Sequence, residues 1–124
     1  MQQFDHEKLD VFNVALAFVV TADQIAKCAT RGHADLADQI RRASTSIVTN
    51  LAEGAGEFTP KEKARFYRLS KRSATECAAL VEIFHELKLI EGEHRPIARE
   101  ALLRVVSMLV RMIHATEARE RAAA

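Results

Sequence analysis

The sequence predicts an all-α protein, folded as an antiparallel up-down-up-down four-helix bundle, on three observations. Apolar residues recur at steps of three and four through four separate stretches of the 124-residue chain. The 4 Gly and 2 Pro fall between those stretches or at a first turn. The connections are short, which favours antiparallel neighbours. No strand alternation, internal repeat or low-complexity linker competes with this reading.

At 13.8 kDa, with 48% hydrophobic and 28% charged residues, residues 1–124 fit one domain that can bury a core. The formal net charge is +1, from 18 Lys and Arg against 17 Asp and Glu, so no global field recruits nucleic acid and any basic surface is local. Cys28 and Cys77 stand in separate helices without zinc-site or disulfide-scaffold spacing, and read as small buried side chains. No basic-then-apolar leader opens the chain and no apolar run approaches the roughly 20 residues that span a bilayer, so the expected setting is the cytoplasm.

The first helix is predicted over about residues 8–30, ended by Arg31-Gly32-His33. It is apolar on too many sides. Leu9, Phe12, Leu16, Val19 and Ala26 form one row, and Val11, Val14, Ala15, Phe18, Ala22, Ile25 and Ala29 a second. Together they cover roughly 200° of the circumference, against about 100° for a helix that packs on one side. The surplus points to self-association.

The second helix spans about 34–53, and Gly54 and Gly56 are read as its stop, because glycine takes the left-handed conformation readily. Its apolar face is Leu36, Ile40, Ala43, Ile47 and Leu51. One position earlier runs a polar row of Gln39, Arg42, Ser46, Asn50 and Glu53, which lies beside the apolar face at roughly 100° per residue. The row is read as a buried hydrogen-bond network to a neighbouring helix, with the wet flank of an amphipathic helix as the alternative.

The third helix, about 60–90, opens on Thr59-Pro60-Lys61-Glu62, a Thr cap with Pro at the first helical position and Glu three residues after the cap. Phe66, Leu69, Ser73, Glu76 or Cys77, Leu80, Phe84 and Leu87 are its expected inward row, with Ser73 and Glu76 as partners for Arg42, Ser46 and Asn50. Glu91-Gly92-Glu93 turns into a fourth helix over about 95–117, opened by Pro96 and followed by an Ala- and Arg-rich tail expected to fray. Ile97, Leu102, Val105, Val106, Leu109, Met112 and Ile113 form its core face, and Leu103, Met108 and Val110 widen it.

Chemistry is sparse. Di-iron bundles use two Glu-x-x-His motifs and two further glutamates. Glu82 and His85 have that spacing, but Glu91 and His94 straddle a glycine, and Glu7 and Glu53 stand near helix ends, so the carboxylate box is not filled and no metal or other cofactor is expected. Ser46, Ser73 and Cys77 lack a His at helical spacing to act as base, and no phosphate-cradling glycine loop is present, so no enzyme is expected.

Basic residues carry more information. Lys61, Lys63, Arg65, Arg68, Lys71 and Arg72 crowd the first half of the third helix, and Lys61, Arg65, Arg68 and Arg72 share a face that Arg41 extends. Such a face suits the phosphate backbone of RNA or DNA, with salt-sensitive binding and little sequence preference. No stacking aromatic other than Tyr67 decorates the patch, so base-specific readout is not supported.

Gln39-Ile40-Arg41-Arg42-Ala43, Ser46-Ile47, Asn50 and Ala52-Glu53-Gly54, with Leu9-x-Val11-Phe12, Ala15, Phe66, Ser73 and Glu76, give the chain a likeness to a known family. It resembles the four-helix bundle proteins encoded within intervening sequences of bacterial 23S ribosomal RNA genes. Two positions depart from that pattern. Val48-Thr49 stands where the family usually has Pro-Ser, and Arg72 where it often has Gly before Ser73. The resemblance implies a homo-oligomer, with a pentamer as the best-known assembly. A related branch, the accessory variability protein of diversity-generating retroelements, is a basic pentamer that binds nucleic acid and a reverse transcriptase. Two functions follow as expectations: a ring that binds RNA or DNA backbone, or a protein-interaction scaffold that ignores nucleic acid.

Overall fold

The computed structural model describes residues 2–124, and among them it is all-helical, with no strand. A 3-10 turn, Asp5–Lys8, leads into α1 (Asp10–Ala26), α2 (Ala34–Gly56), α3 (Pro60–Glu86) and α4 (His94–Ala123). Each of α1 to α3 packs on the next, and α4 packs back on α1, so the four helices form a bundle closed around one core. Phe18, Ile25, Ile40, Ile47, Leu51, Phe84 and Leu109 are its largest fully buried side chains.

The helix limits differ from the sequence-based ones for local reasons. Before α1, Glu7 N–H donates to the Phe4 carbonyl and the Glu7 carboxylate takes the Phe4 N–H (2.9 Å), forming the 3-10 turn; extended Leu9 then starts α1 later than expected. Its end comes early because Cys28 and Ala29 bond three residues back, to Ile25 and Ala26, tightening the last turn. In α4 the tail continues the helix to Ala123 instead of fraying within it. Buried Thr116 donates to the Met112 carbonyl (2.7 Å) and accepts from Arg119 (3.2 Å), and Ala and Arg are strong helix formers.

Helix α2 does not stop at Glu53. It runs through Gly54 to Gly56, and neither glycine takes a positive φ. Gly54 is there for space. A Cβ on it would lie 2.7 Å from Tyr67 Cε1, closer than real side chains approach, and 3.0 Å from Phe66 Cβ, a tight contact. The helix ends at extended Glu57, where Lys63 reaches back from α3 to donate to the carbonyls of Ala55 (2.8 Å) and Gly54 (3.4 Å). That ammonium satisfies terminal acceptors and sits at the negative end of the helix dipole.

Thr59 caps α3 as its sequence requires, its Oγ1 accepting from the Glu62 N–H at 3.2 Å. The Glu62 carboxylate turns to Arg65 (3.4 Å), so only half of the reciprocal box forms. The helix stops at Glu86, short of residue 90. Lys88 takes the left-handed conformation (φ 60°), its N–H bonds His85, and the Leu89 N–H reaches the Phe84 carbonyl at 2.9 Å. This is the Schellman termination, with Lys in the place glycine usually fills.

The facing of α3 also corrects the sequence reading. Its buried row is Ala64, Tyr67, Ser70, Ala74, Cys77, Leu80, Val81 and Phe84, while Phe66, Leu69 and Ser73 are half-buried and Glu76 and Leu87 are exposed. In α4 the core position is Ala98, and Ile97 points outward. Both outer helices keep apolar surface uncovered within the chain, including Leu16 and Val20 (60% exposed) on α1 and Ile97 and Leu103 (59%) on α4.

Gly54→Ala is predicted to destabilise the fold by roughly 1–3 kcal/mol through overpacking, outweighing the ~1 kcal/mol by which Ala is the better helix residue. Urea unfolding measures it, and a midpoint at or above that of the unaltered protein would show that the Tyr67 ring yields freely.

Candidate nucleic-acid interface

The polar row on α2 divides. Ser73 Oγ donates to Ser46 Oγ (2.9 Å) across the α2–α3 seam, and Asn50 Nδ2 donates to both Ser46 Oγ (3.0 Å) and the Ser46 carbonyl (2.9 Å). Beneath them, fully buried Ser70 donates to the Ile47 carbonyl at 2.8 Å, a contact the sequence reading missed. Its signal was the run of small residues at helical spacing on α3. Gln39 is half-buried, Arg42, Glu53 and Glu76 are exposed, and among the described residues none of the four makes a side-chain hydrogen bond or ion pair. The proposed pairing of Glu76 with α2 donors is therefore absent, because Glu76 faces outward.

The cations divide as well. Lys61, Arg65, Arg68 and Arg72 are exposed along one side of α3. Arg65 pairs with Glu62 and lies over the Phe66 ring, 5.0 Å from its centroid, and Arg68 pairs with Glu117 of α4 at 3.1 Å. Arg41 leaves the group, because its Nε donates to Asp23 of α1 (3.0 Å), which places it on the α1–α2 seam. Arg41 and then Lys27 hold the Asp23 carboxyl below its ordinary range by hydrogen bonding. No carboxylate lies within 4 Å of Lys61, Lys71 or Arg72 among the described residues. Arg68, Lys71 and Arg72, with His114 of α4, line an open groove of about 460 Å³ over Val110 and Ile113. Arg104 and Arg111 stand exposed further round α4.

These placements concentrate charge. Helices α3 and α4 hold 12 of the 18 Lys and Arg residues but 7 of the 17 Asp and Glu, an excess of +5 (12 minus 7) in a chain of net charge +1. The sequence reading found the α3 half and missed the α4 half, whose arginines are spread too widely to register as a cluster. Tyr67, the one aromatic that reading allowed on the patch, is only 5% exposed and packs on Gly54, so its ring is not part of that surface. Burial also raises its pKa.

Other reactive groups are occupied. Glu82 of the Glu-x-x-His spacing receives a two-pronged bond from Arg95, Nε to Oε2 at 2.7 Å and Nη2 to Oε1 at 2.8 Å. Burial pushes the Cys77 thiol up to about 12, so the thiolate is not formed at neutral pH. No helix among the described residues is long and apolar enough to cross a membrane.

Fold and surface thus define a four-helix bundle with one cationic flank. Its family is settled by the match of residues 7–111 to the model of the 23S rRNA-intervening sequence protein: the chain belongs to that family. No curated protein matches it.

Two predictions follow from this geometry. Asn50→Ala should lower stability by about 1 kcal/mol through its lost hydrogen bonds, whereas Glu53→Ala should stay within about 0.5 kcal/mol of the starting protein; equal losses in thermal melts would contradict the division of the row. The second concerns acid. Arg95 holds the Glu82 pKa below its ordinary 4.5 through the hydrogen bond, so the ionised pair adds stability above that value and loses it as pH falls through the depressed one. Glu82→Gln should flatten the acid limb of the stability curve, and an unchanged limb would remove the pair as a contributor.

Proposed function

We propose that this protein is a non-enzymatic, ring-forming helical bundle of the cytoplasm that binds the phosphate backbone of RNA or DNA through the cationic flank of α3 and α4. The observation that carries the reading is the excess of +5 on those helices, with no carboxylate paired to Lys71 or Arg72 among the described residues and both beside an open groove. Backbone binding needs clustered cations that give up counterions on contact and asks for no base-specific geometry. Arg65 and Arg68 contribute by exchanging a carboxylate partner for a phosphate.

An antiparallel up-down-up-down course is part of the same proposal. Its support is that cross-helix partners run in opposite directions: Gly54 with Tyr67, Ile47 with Ser70 and Ser46 with Ser73 on α2–α3, and Glu82 with Arg95 and Arg68 with Glu117 on α3–α4. Self-association, as the pentamer that the family resemblance implies, draws support from uncovered Leu16 and Val20 of α1 and Ile97 and Leu103 of α4. The net charge of +1 favours the competing reading, a ring that holds a partner protein such as a reverse transcriptase without touching nucleic acid.

Light scattering coupled to size exclusion, with and without a short generic RNA at low and physiological salt, separates the two. Uptake at low salt only is the expected result. Lys71→Glu with Arg72→Glu should weaken uptake and reduce the salt slope by roughly two, while the oligomer persists. A ring that takes up no RNA at any salt would transfer the assignment to the scaffold.

A further inference from the structure

Phe58 is 97% exposed, in the three-residue connection between α2 and α3. The other aromatics are accommodated. Phe4, 73% exposed, stacks on His6 with ring centroids 5.6 Å apart, Phe12 meets the same His6 at 4.7 Å, Phe66 lies under Arg65, and Phe18, Tyr67 and Phe84 are buried. Nothing in the described chain covers Phe58. A full aromatic side chain left in water forgoes roughly 1.5–3 kcal/mol of burial.

The backbone on either side of it is pinned. Glu57 N–H bonds the Gly54 carbonyl (3.2 Å), Lys63 ties α3 to the last carbonyls of α2, and Thr59 caps α3. The ring is therefore held out on a fixed support. Directly after it the cations begin, with Lys61, Arg65, Arg68 and Arg72 following at intervals of three or four residues. Of the two nearest carboxylates in sequence, Glu62 is engaged by Arg65 and Glu57 is half-buried.

We propose that Phe58 is a base-stacking platform at the head of the cationic stripe, and that the ligand of this flank is a single-stranded nucleic acid. The inference rests on the backbone-binding reading above and narrows it. From Lys61 to Arg72 the helix rises roughly 17 Å, a length that a single strand with its bases splayed from one another covers in a few nucleotides. A strand laid along that stripe meets cations through its phosphates and brings a base to the exposed ring, the combination that non-sequence-specific single-strand binders use. A duplex keeps its base faces inside the stack and offers such a ring no surface.

The chain contains no Trp, so Phe58→Trp installs a lone indole as reporter. The probes are a short single-stranded RNA, the same strand in a duplex, and an abasic strand of equal length, all at low salt. Quenching of the indole by the base-bearing single strand, and none by the abasic strand, is expected. Phe58→Ala should bind the single strand roughly tenfold more weakly, while its affinity for the abasic strand, its salt slope and its oligomeric state stay unchanged. A bound single strand that leaves the indole unquenched, or that Phe58→Ala holds as tightly, overturns the stacking role and leaves backbone binding intact. A change of oligomeric state in Phe58→Ala overturns it too, by assigning the ring to a contact between subunits. Absence of binding by any strand overturns both readings.

Discussion

The packing of Tyr67 against the bare backbone of Gly54 holds α2 and α3 at close approach, and much of the rest of the molecule is arranged around that contact. A helix pair separated by two ordinary side chains sits 8–10 Å apart; missing a Cβ on one side and flanked by Ser70 and Ala74 on the other, this pair comes together tightly enough for hydroxyls to cross the seam. Ser70 reaches the Ile47 carbonyl and Ser73 reaches Ser46. Each bond also fixes the rotation of α3 about its own axis. Turned by one residue, roughly 100°, the helix would bring Phe66 and Leu69 inward and carry the serines away from their acceptors.

That rotation decides which face of α3 looks outward. With Tyr67, Ser70, Ala74 and Cys77 committed to the core, Lys61, Arg65, Arg68 and Arg72 stand exposed, and the flank beside α4 opens between them and His114. Core and surface are in this sense one decision. The small residues that permit the approach of α2 are also the reason that long cationic side chains line the other side. The same seam turns Lys63 to the end of α2 and away from the exposed face of Lys61, Arg65, Arg68 and Arg72, although its charge still counts toward the helix.

What was legible in the sequence was local or periodic. Four helices follow from the spacing of apolar residues, and the start of α3 follows from Thr59 and Pro60, because a cap is made by residues within one turn of each other. The rest depends on partners distant in sequence. Gly54 reads as a terminator until Tyr67 is set against it, since freedom of φ and absence of a Cβ are the same letter. The facing of α3 is misread because bulk was weighed above fit, although Ala, Ser and Cys fill the tight seam and Phe66 and Leu69 cannot. Arg41 and Arg68 look equivalent as letters, yet Asp23 binds one to α1 and Glu117 binds the other to α4. Phe58 stood in plain view, but a lone aromatic in a connection has no period to mark it.

The uneven distribution of charge along the chain has a consequence for how the molecule meets other bodies in solution. With α3 and α4 carrying +5 and the remaining segments −4, the protein is an electric dipole whose net charge describes neither side of it. Screening at physiological ionic strength extends only about 8 Å, so an approaching polyanion feels the nearer side of the bundle and little of the farther one. Encounters on one flank are drawn in and turned to a common orientation, while encounters on the other are turned away. Near-neutrality in total is thus compatible with a surface that is cationic on one side.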